Sequence, residues 1–142
     1  MKNILLTLAL LISAVSFGQT AKEYYDRGFS KVNLRNFSGA ISDFTKVIEI
    51  NSNVAEIAIS NESDLSLFTT NGQAAILITA KAYINRAISK YELAAKYRDG
   101  SYKKGACEDA MKAKALNQRL GPEAFTEMLL LTSKNLSIPA FM

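Results

Sequence analysis

The sequence predicts an all-α fold of antiparallel helix pairs, and three observations predict it. Residues 21–53, AKEYYDRGFSKVNLRNFSGAISDFTKVIEINSN, carry small, aromatic and charged side chains at the spacings of a two-helix unit. Gly28 and Ala40 stand 40 − 28 = 12 residues apart, the interval that turns the small residue of one helix toward that of the next. The chain also matches itself. Tyr24-x-x-Arg27-Gly28-x-Ser30-Lys31 returns as Tyr83-x-x-Arg86-Ala87-x-Ser89-Lys90 at an offset of 59, and Gly39-Ala40-x-x-Asp43-x-x-Lys46 returns as Gly105-Ala106-x-x-Asp109-x-x-Lys112 at an offset of 66. Finally, neither Gly nor Pro occurs from Gln73 to Lys96, so one helix of roughly 25 residues fits there, about twice the usual length.

Taken in chain order, residues 1–18 have the features of a secretory signal peptide: Lys2, an apolar run from Ile4 to Val15, and small Ser16 and Gly18 before a cut at Gln19. The apolar run falls short of the roughly 20 residues a spanning helix needs, so a membrane is expected only through this segment if it stays uncleaved. No Cys stands at the cut to carry a lipid. Cleavage leaves 142 − 18 = 124 residues, 19–142, which suit one exported domain, periplasmic or extracellular, with a modest core.

Unit one, residues 21–53, resembles a tetratricopeptide repeat, whose pattern runs aromatic-x2-Leu-Gly-x2-Tyr, then Ala-x3-Phe, then Pro over about 34 residues. Here the pattern reads Tyr24-x2-Arg27-Gly28-x2-Lys31, Ala40-x3-Phe44 and Ser52. Arg27 and Lys31 replace apolar residues, and their long stems are expected to lie along apolar surface with the charged heads in water. Ser52 replaces the Pro, which leaves the end of the second helix undefined.

Residues 54–71 form an insertion between the units. Asn61, Ser63 and Asp64 are turn or N-cap types and Leu65, Leu67 and Phe68 are apolar, so a short helix or packed loop is expected there. Unit two spans 72–119. Its two matches differ in offset by 66 − 59 = 7 residues, close to two helical turns. ELAAKY favours extension of its first helix, and the turn falls at Asp99-Gly100. At Gly121-Pro122 one helix stops and another starts. Phe125, Met128, Leu129 and Thr132 then make a stripe that caps the open end of the stack, and the segment 120–142 ends in the apolar tail SIPAFM.

The chemistry the chain lacks narrows its function. There is no His, so the usual general base, imidazole ligand and Ser-His or Cys-His pairs are missing. The lone Cys107 forms neither an intramolecular disulfide nor a Cys-based zinc site. No Gly-rich phosphate loop occurs, and Glu108 and Asp109, adjacent in sequence, point to different sides of a helix. No enzyme activity, cofactor or metal is therefore expected. The net charge of +4, or +3 without Lys2, is too mild for a nucleic-acid footprint. Residues 80–119 nevertheless hold ten basic and four acidic residues, an excess of +6. That half reads as a solvated helical surface or as a face for anionic polymer.

The tetratricopeptide resemblance implies binding. In that family the first helix of each unit lines a concave groove that holds a peptide. Position by position, the groove here is Tyr25, Phe29, Val32 and Asn33 from unit one with Ile84, Ile88, Tyr91 and Glu92 from unit two. Tyr24, Gly28, Tyr83 and Ala87 are expected inside the units. Tyr25, Phe29 and Val32 stand at i, i+4 and i+7, an apolar stripe that Ile84, Ile88 and Tyr91 repeat. The expected partner is a protein or peptide gripped by apolar contact. A homodimer is the alternative, because two units are fewer than the three usually needed for a stable array.

Overall fold

A computed structural model describes residues 19–60 and 70–120 of the chain. The proposed signal peptide, the centre of the insertion and the expected capping helix and tail from 121 onward lie outside the described residues. Within them the protein is all α. The helices are α1 (Ala21–Asn33), α2 (Phe37–Ile50), α3 (Ser52–Ile59), α4 (Thr70–Tyr97) and α5 (Gly100–Leu120).

Local sequence sets where α1 begins and ends. Thr20 and Glu23 form a reciprocal capping box: the Thr20 hydroxyl oxygen accepts from the Glu23 N–H at 3.2 Å, and the Glu23 carboxylate accepts from the Thr20 N–H at 2.7 Å. At the other end Asn36 N–H donates to the Lys31 carbonyl and Arg35 N–H to the Val32 carbonyl, at 2.8 and 2.9 Å. This is the Schellman closure, and its left-handed position is taken by Arg35 at φ 57° rather than by glycine. The Asn36 side-chain oxygen then accepts from Gly39 N–H and caps α2. Arg98, at φ 53°, occupies the matching place between α4 and α5.

Short turns at 34–36 and 98–99 fold α1 against α2 and α4 against α5 as antiparallel pairs, and α2 also packs along α4. Two apolar clusters fill the joints. Ala40, Phe44 and Val47 of α2 meet Ala82 of α4, with Tyr24, Tyr25 and Val32 of α1 packed on them. Ala55 and Ala58 of α3, Ile76, Ala80 and Tyr83 of α4, and Ala113 and Leu116 of α5 form the other. Ile48 touches both clusters and joins the two halves. Gly28, Tyr83 and Ala87 are buried as expected, and Tyr24 is half-buried against its cluster.

Residues 52–59, which the sequence reading assigned to the end of unit one and the start of the insertion, form α3. Only Asn51 interrupts the run from α2, and its side-chain amide donates to the buried Thr79 hydroxyl of α4 at 3.0 Å. The break is thus fixed by a contact from another helix, while Ala55 and Ala58 give α3 a small-residue face that lies close to α4 and α5. The Arg119 guanidinium donates to the Ala58 carbonyl at 2.9 Å, satisfying one of the backbone acceptors at the end of α3.

The seven extra residues of unit two are divided between both its helices rather than added to the first alone. α4 runs seven residues past Lys90 where α1 runs two past Lys31, and α5 starts five before Gly105 where α2 starts two before Gly39. α4 thus gains five residues and α5 three while the turn between them loses one, all at the tip of the hairpin, so the paired faces below the tip keep their register.

Two substitutions probe this architecture. A Cβ at Gly28 would come within 2.9 Å of the fully buried Phe44 ring, so Gly28→Ala should lower stability by about 2 kcal/mol, read by urea denaturation. Arg35→Gly should instead raise it by about 0.5–1 kcal/mol, the left-handed cost relieved less the extra freedom of glycine when unfolded. A lower melting temperature for Arg35→Gly would contradict the strain at that turn.

Candidate functional site

The matched sequence motifs assemble into two copies of one charge clamp. On α2 the Asp43 carboxylate is buried. The Arg27 guanidinium donates to both its oxygens, at 3.0 and 2.6 Å, and Lys31 Nζ lies 2.8 Å from Oδ2. On α5 the buried Asp109 is held in the same way by Arg86, at 2.8 and 2.7 Å, and by Lys90 at 2.7 Å. Arg and Lys at i and i+4 share one face of the first helix, so both heads converge on one carboxylate of the second. Each guanidinium also stacks over the Tyr three residues earlier, Arg27 over Tyr24 at 4.9 Å and Arg86 over Tyr83 at 5.4 Å. Arg27 and Lys31 are therefore not only stems with heads in water, as the sequence suggested. Their charges are spent on a buried partner.

Burial acts to raise the Asp43 pKa, but the hydrogen bonds and charges of Arg27 and Lys31 outweigh it, and the carboxyl titrates below its ordinary range. An anion held this firmly is unsuited to donate a proton, so the geometry gives Asp43 a structural role.

The proposed groove residues lie close to the joint between the units. Tyr25 and Phe29 stack nearly parallel, with ring centroids 6.4 Å apart, and Tyr25 leans on Phe44 at 5.7 Å. The Tyr25 hydroxyl accepts from the Asn85 side-chain amide of α4 at 3.1 Å, and burial raises its pKa. Val32 packs on the α1–α2–α4 cluster and Ile84 on the other one, while Tyr91 and Glu92 are half-buried and Asn33 is exposed. Ile88 is buried, with 7% of its surface exposed, and belongs to the interior.

Sequence reasoning did not find the polar links between units. The remaining arm of Arg86, Nη1, donates to the Thr45 hydroxyl of α2 at 3.0 Å, whereas the same arm of Arg27 donates to Gln19 at 2.9 Å. Nor did it find a cleft of about 570 Å³ at one end of the bundle. One wall is the α1–α2 turn, Arg35 to Ser38, and the other is the extended end of α4, from Glu92 to Tyr97. The hints in the sequence were the seven-residue offset and Glu92, a predicted groove residue that lines this cleft.

The basic half of unit two is also less available than its composition suggests. Arg86 and Lys90 face Asp109, Arg119 donates to a carbonyl, and Lys112 stands over the Tyr83 ring at 5.7 Å. Among the described residues no group of three or more His, Cys, Asp or Glu could hold a metal ion, and no helix is long and apolar enough to cross a membrane. Searches among family models, curated proteins and solved structures found no match to this chain.

The two clamps differ in exposure, which orders their contributions. The cations on Asp109 are 13% and 19% exposed, and those on Asp43 are 44% and 30% exposed. Removing one partner of a buried pair costs about 3–5 kcal/mol, less where solvent screens the partners. Asp109→Asn should therefore cost about 3 kcal/mol and Asp43→Asn about 2. Equal losses would contradict the burial argument.

The lowered pKa of Asp43 sets the sign of an acid effect. Its stabilisation is complete above the unfolded pKa, about 4, and is lost as pH falls through the folded value. Thermal melts should show the wild type losing stability below about pH 4, with a shallower acid fall for Asp43→Asn.

Proposed function

We propose that the protein is an exported scaffold of tetratricopeptide type, with two diverged units, that binds a protein or peptide segment along α1 and α4. The observation that supports this reading is the repeated clamp. The same Tyr, Arg, Lys and Asp close both helix pairs with the same contacts, so the two units are equivalent in their chemistry as well as in their sequence spacing. The Tyr25–Asn85 hydrogen bond holds the first helices of the two pairs side by side, with Phe29 at the surface and its counterpart Ile88 in the interior. On that surface the stacked Tyr25–Phe29 pair offers a rigid, half-exposed aromatic platform. Aromatic platforms of this kind dominate protein recognition because they give large contact area for little lost side-chain freedom.

A photoreactive phenylalanine analogue at position 29 tests the reading in the full chain, expressed in its native envelope. The expected product is a covalent adduct with a different polypeptide. Phe29→Ala should reduce recovery of that partner in a pull-down by about tenfold or more. Adducts formed only with a second copy of the chain would replace this function with self-association. Undiminished recovery by Phe29→Ala would remove the aromatic pair from the site.

A further inference from the structure

The cleft beside the α1–α2 turn arises from the one feature that unit one does not share, the extra turn on each helix of unit two. Its chemistry is specific. Six cations of the fold are paired internally: Arg27, Lys31, Arg86 and Lys90 on buried carboxylates, and Lys22 and Lys46 on neighbouring acids of their own helices. Arg35 lines the cleft, and its side chain meets no acidic partner among the described residues. Lys96, on the facing wall, lies over the Tyr97 ring at 5.0 Å and likewise has no carboxylate. Glu92 is the single acid among the described residues of the lining, so the cleft is left with an excess of positive charge.

Asn36 and Ser38 add polar groups to the lining, and the rest of it is apolar. Phe37 comes from α2, and the buried Leu93 and the 58%-exposed Tyr97 come from α4. The backbone adds one further observation: Arg35 and Arg98 hold left-handed conformations in the two turns, which glycine adopts without the steric cost a side chain brings. Both hairpins thus carry a cationic side chain at a position that local stability would give to glycine.

We propose that this cleft docks an acidic polypeptide segment with an apolar anchor, its carboxylates taken by Arg35 and Lys96 and its aromatic or leucine side chain by Phe37 and Tyr97. An anionic polysaccharide or nucleic-acid backbone would satisfy the cations, yet it has no apolar side chain for the rings. A purely apolar segment would leave the cations unmatched. The site is separate from the Tyr25–Phe29 platform and stands whether or not that platform binds.

The test uses the full chain and a fluorescein-labelled hexapeptide alternating glutamate and phenylalanine, followed by polarisation. Saturable binding is expected, and the glutamine–phenylalanine version should bind far more weakly. The double variant R35G/K96Q should weaken the glutamate peptide by about tenfold or more, as loss of two charge-assisted contacts predicts, while Phe29→Ala leaves it unchanged. Because R35G relieves the turn, its melting temperature should rise as its affinity falls, which separates lost binding from lost folding. The proposal is overturned by equal affinity for the glutamine peptide, by unchanged affinity in R35G/K96Q, or by polyglutamate binding as tightly as the mixed peptide. The last result would assign the site to anionic polymer.

Discussion

A carboxylate taken out of water needs charged partners and satisfied hydrogen bonds, and in each helix pair of this protein only one arrangement supplies them. Asp43 and Asp109 each sit on a second helix, and the Arg and Lys that meet them sit one turn apart on the first. Rotating either helix by a residue would strand the carboxylate, at a cost of several kcal/mol. Apolar contact alone is less directional, because small and aliphatic side chains tolerate sliding. The clamp therefore fixes how the helices pair, and the clusters around Phe44 and Leu116 fill the space it defines.

The clamp is the same in both pairs while the packing next to it differs. Gly28 lets the Phe44 ring lie against α1. At the corresponding places in unit two stand Ala87 and Ala110, so a larger residue on the first helix goes with the loss of the aromatic on the second. Unit two finds its apolar contacts elsewhere, through α3 and Leu116. The Gly28–Phe44 contact of α1 and α2 and the Tyr83–Ala113–Leu116 cluster of α4 and α5 are thus two packings around one electrostatic arrangement.

Between the pairs, hydrogen bonds set the angle of stacking. Thr45 accepts from Arg86, Tyr25 from Asn85, and Thr79 from Asn51, each joining α4 to the unit before it. Arg86 serves both purposes, closing its own pair and reaching back to α2. The extended hairpin of unit two then overhangs the first turn and leaves a cleft of mixed charged and aromatic lining. Growth at the tip is what makes this addition compatible with the rest: the helix faces below it keep their register.

By itself the sequence determined the helical class and the identity of the residues that recur in both clamps, because periodicity and self-similarity are written along the chain. It also located the long helix from Gln73 to Lys96, since nothing there interrupts a helix, and the buried places of Gly28, Tyr83 and Ala87. Only the tertiary structure decided that Arg27, Lys31 and Asp43 belong together. Their pairing crosses between helices, and charge at an apolar position looks the same in sequence whether its head meets water or a buried acid. Likewise α3, its break at Asn51, the interior position of Ile88 and the division of the seven added residues depend on contacts with α4 and α5. Such contacts join residues far apart in the chain, and no local pattern encodes the distance between them.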